Sequence, residues 1–150
     1  MLLKKYNNIR LVILGDGEER KKLELSVKEK GLIDVVYMPG ICTNVNEYLK
    51  NADIYVSASL TEGLPLSMLE AMASGLPIVT SDAGGSVDLV KSEINGIIYS
   101  KGEVNALKEA LETLIINEEK RLSYANNSRK IAEQWSIENC VSGYEALYNM

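Results

Sequence analysis

The chain has 150 residues, 46% of them hydrophobic, with 16 basic and 21 acidic side chains for a net charge of −5, and no histidine. That is one ordinary domain's worth of chain, able to bury roughly 70% of its unfolded surface without a staple. The acidic balance, with Arg20-Lys21-Lys22 as the longest basic run, argues against nucleic acid as a partner, and the lack of histidine removes zinc-finger ligand sets and every Ser-His or Cys-His nucleophile. Cys42 and Cys140 have no Cys-x-x-Cys spacing and are expected to be two buried structural thiols. Residues 1–8 contain no apolar signal core, and no apolar run approaches the ~20 residues that span a bilayer, so the expected location is cytoplasmic.

In chain order, Leu2, Leu3 and Tyr6 look like the last turns of an amphipathic helix, as if a strand and most of a helix had been cut away before Met1. Short apolar runs without in-out alternation follow at Leu11 to Leu14, Val35 to Met38, Ile54 to Ser57, Pro77 to Thr80 and Gly96 to Tyr99, and are expected to be strands buried on both faces. Between them lie helix-length segments at Glu18 to Lys30, Val45 to Ala52, Pro65 to Ser74 and Ser86 to Lys91, each bounded by Gly, Asn, Asp or Pro. This alternation predicts an α/β fold with a doubly wound parallel sheet and helices on both faces, because parallel neighbours need crossovers rather than hairpins. Val104 to Ile116, Glu119 to Trp135 and Ile137 to Met150 read as a helical C-terminal segment, with Leu107, Leu111, Leu114 and Ile115 at helical spacing. A single domain over residues 1–150, truncated at its N-terminus, is the expectation. Core packing explains Trp135 as well as an interface role does, and the last helix, with Val141, Tyr144 and Leu147 in a stripe, is expected to dock on its own domain or drive self-association.

In open parallel sheets ligands bind beyond the carboxyl ends of the strands, so each strand-end loop is a candidate. Gly15-Asp16-Gly17 follows the first strand, but a dinucleotide fingerprint needs a third glycine where Arg20 stands, which rejects a nicotinamide cofactor. A plain turn with Asp16 near a helix start explains the segment equally well. The most specific stretch is Glu62-Gly63-Leu64-Pro65-Leu66-Ser67-Met68-Leu69-Glu70-Ala71-Met72-Ala73-Ser74-Gly75. Pro65 suits the first helical position and Gly75 the residue past the end. The helix between them is nearly all apolar, implying burial, so Glu70 is expected to be a buried carboxylate in need of hydrogen-bond donors. Ligand hydroxyls would serve; so would backbone N–H groups or a neighbouring hydroxyl in a purely structural role. Glu62 has a plain reading too, as a helix-entry carboxylate favoured by the macrodipole.

Glu62 and Glu70 stand in Glu-x7-Glu spacing, and the segment resembles the signature of retaining, nucleotide-sugar-dependent glycosyltransferases of the GT-B architecture, the group 1 glycosyltransferases. Leu11 to Gly17, Ala52 to Val56, Ser74 to Val79, Gly84-Gly85 and Asn95-Gly96 resemble segments of that family's C-terminal, Rossmann-like domain, in its order. The resemblance implies that Glu70 binds the ribose hydroxyls of a nucleoside-diphosphate sugar and that Glu62, the catalytic candidate, faces the donor sugar. It implies that the backbone from Gly63 through Leu64, Pro65 and Leu66 to Ser67 meets sugar and diphosphate oxygens, that Gly40 and Ile41 touch the base, and that Gly15 lies near the nucleotide. Gly84 and Gly85 open a helix on the ligand side, although a tight strand-to-helix turn accounts for them without a ligand. The implied reaction is hexosyl transfer to an acceptor hydroxyl with retained configuration and no required metal or cofactor, as in polysaccharide assembly. The family's Arg and Lys from the start of this domain have no counterpart here, so the chain alone is expected to be an inactive fragment. Its expected partners are the nucleotide sugar and a missing N-terminal Rossmann-like domain, through which it associates peripherally with the inner membrane face.

Other classes of function are weaker matches. A stand-alone nucleotide-binding or scaffold module shares the strand-end loops. A glycoside hydrolase would use two carboxyls ~5 to 9.5 Å apart in an open sugar cleft, and a phosphoacceptor domain would cluster acids that Asp16, Asp53 and Asp82 do not supply.

Overall fold

The computed structural model of the chain describes residues 2–148. A 3-10 turn at Leu2–Lys4 precedes β1 (Leu11–Leu14), α1 (Arg20–Glu29), β2 (Val36–Gly40), α2 (Val45–Lys50), β3 (Tyr55–Ser57), α3 (Leu66–Ala73), β4 (Ile78–Ser81), α4 (Ser86–Leu89), β5 (Gly96–Tyr99), α5 (Val104–Ile116), α6 (Glu118–Ala132) and α7 (Ile137–Tyr148). The order matches the predicted α/β alternation and helical C-terminal segment. Met1 and the last two residues of the final predicted helix lie outside the described residues. The predicted helix ending at Trp135 is instead α6 followed by a 3-10 turn, Glu133–Trp135. All strand pairing among the described residues is parallel and falls into two ladders, β1-β2 and β3-β4-β5. The chain divides into two compact units, one ending at Val45 and one starting at Asn46.

In the first unit the β1-β2 register slips between Val12 and Leu14, so that Leu14 faces Gly40. Pro39 accounts for the slip, because it has no N–H to give a ladder rung and is tolerated in a strand at such an irregularity. The expectation that every apolar run is buried on both faces fails for β1 and β2, where Leu11, Val12 and Tyr37 are 45%, 43% and 59% exposed. A ladder of two strands has too few neighbours to cover both sides, and a short apolar run does not report how many neighbours it has.

The second unit carries the core. All four residues of β4 are buried, with α3 packed on β3, β4 and α6, and α5 on β4 and β5. Val79, Tyr99, Ala110, Leu114 and Tyr124 form one buried cluster, flanked by Leu107 and Leu111 as the helical spacing predicts. Asn95, fully buried, closes the turn into β5: its Oδ1 accepts the Lys91 N–H at 2.7 Å and its Nδ2 donates to the Leu89 carbonyl at 3.3 Å. Asn117 caps α6 by accepting the Lys120 N–H at 2.8 Å, satisfying one N–H that the helix cannot. Glu93, in the left-handed region at φ 62°, takes hydrogen bonds from Lys120 Nζ at 2.6 Å and Tyr124 Oη at 2.9 Å. These donors hold its carboxyl below the usual carboxylate range. The tie is therefore present at neutral pH and lost on acidification, and at an exposed site its contribution is small.

One expectation is corrected here and two are narrowed to their second alternative. Cys42 is half-buried and Cys140 exposed, so the thiols are not core residues; one lies in a loop and the other on α7. Trp135 is 43% exposed rather than a core filler. The last helix does not dock on its own domain: α7 packs against the 3-10 turn before it, buries none of its residues, and leaves Val141, Tyr144 and Leu147 exposed. An apolar stripe shows that a helix has a face to cover, and not what covers it.

At Gly96 a Cβ would run into the backbone carbonyl of Ile78 on β4 and the Val90 side chain. Gly96→Ala should cost about 1–3 kcal/mol, in the range of forced overpacking, as measured by urea unfolding; a midpoint unchanged from the parent would contradict this packing.

Candidate functional site

In the first unit, the residues predicted near the nucleotide lie at the carboxyl ends of β1 and β2. Gly15, at φ 107°, donates its N–H to the carbonyl of Gly40, at φ 85°, at 2.8 Å, so these two predicted residues are in direct contact. The next residue, Ile41, is 81% exposed. Asp16 Oδ1 accepts the Gly17 N–H at 2.7 Å, the turn role weighed for it. Arg20, which broke the dinucleotide fingerprint, braces this corner. Its Nη2 donates to the Met38 carbonyl at 2.9 Å and its Nε to Glu24 at 2.7 Å, with Asp16 at 3.7 Å. A Cβ on Gly40 would come within 2.9 Å of its Nη1. Where a dinucleotide turn needs a glycine for close helix packing, this chain places a guanidinium whose charge is already engaged.

In the second unit, the loop from Ser57 to α3 carries the remaining candidates. Pro65 is buried and stands one residue ahead of the helix rather than at its first position, with φ −76° and ψ 97°. Its carbonyl takes the N–H groups of Met68 and Leu69, at 3.0 and 3.2 Å. The N–H groups of Leu66 and Ser67 thus precede the first helical bond and have no carbonyl within α3. Pro65 has no N–H of its own, so in this stretch its part is conformational. Gly63, Leu64, Leu66 and Ser67 are all exposed. Gly75 follows the helix at φ 77°, as predicted.

Glu70 is exposed, which corrects the expectation of a buried carboxylate. The inward side of α3 is Met68, Ala71 and Met72, whereas Leu66, Ser67, Glu70 and Ala73 lie outward. High apolar content had suggested burial all round, but the helix keeps one face in the core and one out. Among the described residues no protein group donates a hydrogen bond to the Glu70 side chain. Ser67 shares its face, one turn away, and Ser67 Oγ meets Tyr55 Oη at 2.8 Å. Burial pushes the Tyr55 phenol above its ordinary range; the Ser67 hydrogen bond opposes this, while the charges of Glu62 and Glu70 add to it. The phenol therefore stays protonated under the influence of both carboxylates.

Glu62 is half-buried, and its Oε1 accepts from Ser59 Oγ at 2.6 Å. Its carbonyl accepts the Gly85 N–H at 3.3 Å. Gly84, at φ 44°, and Gly85 lie so close to this loop that a Cβ on the first would collide with the Glu62 carbonyl, and on the second with the Gly63 carbonyl. The Gly84-Gly85 pair, read from sequence as a turn with or without a ligand, is thus the seat on which the Glu62-Gly63 backbone rests. Tyr55 and Ser59 were not singled out by sequence reasoning. Ser59 stands in Ser-x-x-Glu spacing with Glu62, a signal that had been available, whereas nothing local marked Tyr55.

The sequence matches the family described as Glycosyl transferases group 1 over residues 1–131. The chain belongs to this family. It is 34% identical over 148 residues to an uncharacterized glycosyltransferase of Haemophilus influenzae, covering 98% of this chain and 42% of that protein. Among solved structures it is similar to Anabaena HepE in complex with UDP, at a TM-score of 0.89 and 25% identity, over 99% of this chain and 43% of HepE. It is also similar to the C-terminal domain of the group 1 glycosyltransferase LpcC from Francisella tularensis, at a TM-score of 0.79 and 28% identity, over 90% of this chain and 74% of that one. The chain thus spans less than half the length of the first two relatives, and its fold is that of a GT-B C-terminal domain.

Because Gly85 faces backbone and Gly63 faces open space, the two sides of their contact should respond differently to an added methyl. Gly85→Ala should cost about 1–3 kcal/mol and Gly63→Ala under about 0.5 kcal/mol in urea unfolding. Equal costs would contradict the seating of this loop.

Proposed function

We propose that the protein transfers a sugar from a uridine diphosphate sugar to an acceptor hydroxyl with retained anomeric configuration, releasing UDP, and that this chain holds the donor. One observation carries the reading: Glu70 is exposed beside the unfilled first turn of α3, and among the described residues no protein donor hydrogen-bonds its side chain. A carboxylate accepts hydrogen bonds and cannot attract a diphosphate, so its natural partners are hydroxyl groups, here those of the ribose. The diphosphate then takes the Leu66 and Ser67 N–H groups at the helix start, an anion site without a charged side chain. Glu62 faces the donor sugar. HepE, so similar in fold, has been crystallised with UDP, which favours the uracil base.

Chemically, departure of the diphosphate develops negative charge on its oxygens. N–H groups already aimed at those oxygens stabilise the transition state more than they stabilise bound substrate. No bound metal is required in this scheme. The acceptor site and the remaining phosphate ligands are assigned to an N-terminal domain of the same enzyme, so transfer by this chain alone is expected to be negligible.

A thermal-shift panel of uridine, guanosine and adenosine diphosphates and their sugars tests the assignment. Uridine nucleotides should raise the melting temperature, by a stabilisation of about 2.7 kcal/mol at a hundred times Kd. Glu70→Ala should weaken binding roughly 10- to 100-fold, as loss of hydrogen bonds to a charged group implies, while leaving the unliganded melting temperature unchanged. Equal shifts in parent and variant would remove Glu70 from the site.

A further inference from the structure

Ser59 is held at both ends. Its carbonyl accepts the Ser81 hydroxyl at 2.6 Å, and Ser81, the last residue of β4, is buried. Its own hydroxyl donates to Glu62 Oε1 at 2.6 Å, within the short range of O–H···O⁻ bonds, and accepts a longer contact from Ser57 Oγ at 3.4 Å. Ser57, at the end of β3, is 8% exposed, and its carbonyl accepts the Tyr99 hydroxyl from β5 at 3.3 Å. The Glu62 carboxylate is therefore tied through Ser59 to β4 and β3, and through Ser57 beyond it to β5. Its second oxygen, Oε2, has no protein hydrogen bond among the described residues.

Ser-x-x-Glu spacing is also that of a helix capping box, but the chain from 58 to 65 is not helical, so the Ser59 hydroxyl caps nothing. It acts on a half-exposed glutamate side chain with three rotatable bonds that would otherwise sample several rotamers.

We propose that Ser59 is a positioning residue for the donor sugar, its hydroxyl locking Glu62 so that Oε2 stays open to a sugar hydroxyl. The inference rests on the reading of Glu62 as the sugar-facing carboxylate. On that reading the nucleotide contacts lie at other residues, so Ser59 acts on affinity for the sugar and not on affinity for the nucleoside diphosphate. A ligand held in a pre-set geometry loses less freedom on binding than one that must first order its partner.

The test compares the parent chain with Ser59→Ala and Ser59→Thr in two measurements. Calorimetric titrations with UDP and with UDP-glucose, UDP-galactose and UDP-N-acetylglucosamine give the ratio of sugar-nucleotide to nucleotide affinity. For the sugar that binds best, that ratio should fall about 5- to 10-fold in Ser59→Ala, as expected for one side chain to be ordered on binding, and return in Ser59→Thr, with UDP affinity unchanged throughout. Side-chain coupling constants of Glu62 by NMR, without ligand, should report one rotamer in the parent and Ser59→Thr and averaging in Ser59→Ala. Equal weakening of UDP and UDP-sugar would mark a general loop defect and overturn the proposal, as would a Glu62 that already averages in the parent. A parent that binds no nucleotide but shows the expected rotamer change would overturn the donor-site reading and the sugar-facing role with it, leaving only a structural hold of Ser59 on Glu62.

Discussion

The Glu62-Gly63 backbone lies directly on the Gly84-Gly85 turn, and this approach is possible only because neither glycine carries a Cβ. Much else in the second unit follows from that contact. It places the loop after β3 against the loop after β4, with the Gly85 N–H on the Glu62 carbonyl and the Ser81 hydroxyl on the Ser59 carbonyl. The start of α3 is then set by Pro65, which is buried and conformationally restricted. A loop fixed at two successive strand ends can present its N–H groups in one direction without being buried itself, and that is the requirement of a site built from backbone rather than from charged side chains.

The electrostatics of this arrangement constrain the proposed phosphate ligand. The chain carries net negative charge, and Glu62 and Glu70 both act on the same phenol, Tyr55. On the proposed reading, a diphosphate near two carboxylates would be tolerable only if each carboxylate were screened by hydroxyl hydrogen bonds and the phosphate oxygens met donors first. Ser59 already supplies such a hydroxyl to Glu62, and the exposed Glu70 leaves room for another. On the proposed reading the second unit divides its labour by chemistry: carboxylates for sugar hydroxyls and helix-start N–H groups for phosphate.

How much of this was legible in the sequence depended on how local the signal was. Strand and helix order was readable because buried parallel strands leave short apolar runs between Gly- and Pro-bounded helices, and β5 and α5 match their predicted bounds. The Glu-x7-Glu segment was readable because its spacing and its Pro and Gly boundaries are contained in one stretch of chain. Burial was less readable. Glu70 sits in a helix rich in Leu, Met and Ala, yet which way each side faces is set by β3, β4 and α6, and the same limit applies to β1 and α7. Contacts between distant segments were hidden altogether: the Ser59–Ser81 bond, the Tyr55–Ser67 pair and the Arg20 brace on Met38 and Gly40 each join residues that only the fold brings together. Arg20 is instructive, since its position counted only as a missing glycine until its side chain was seen.

The most direct test of the account is a titration of isotopically labelled chain with UDP, followed by backbone amide NMR. If the helix start is the diphosphate site, the amides of Leu66 and Ser67 should show the largest shifts in the second unit, with those of α5 and α6 unmoved. Shifts concentrated on α5 or α6, with Leu66 and Ser67 unchanged at saturation, would contradict it.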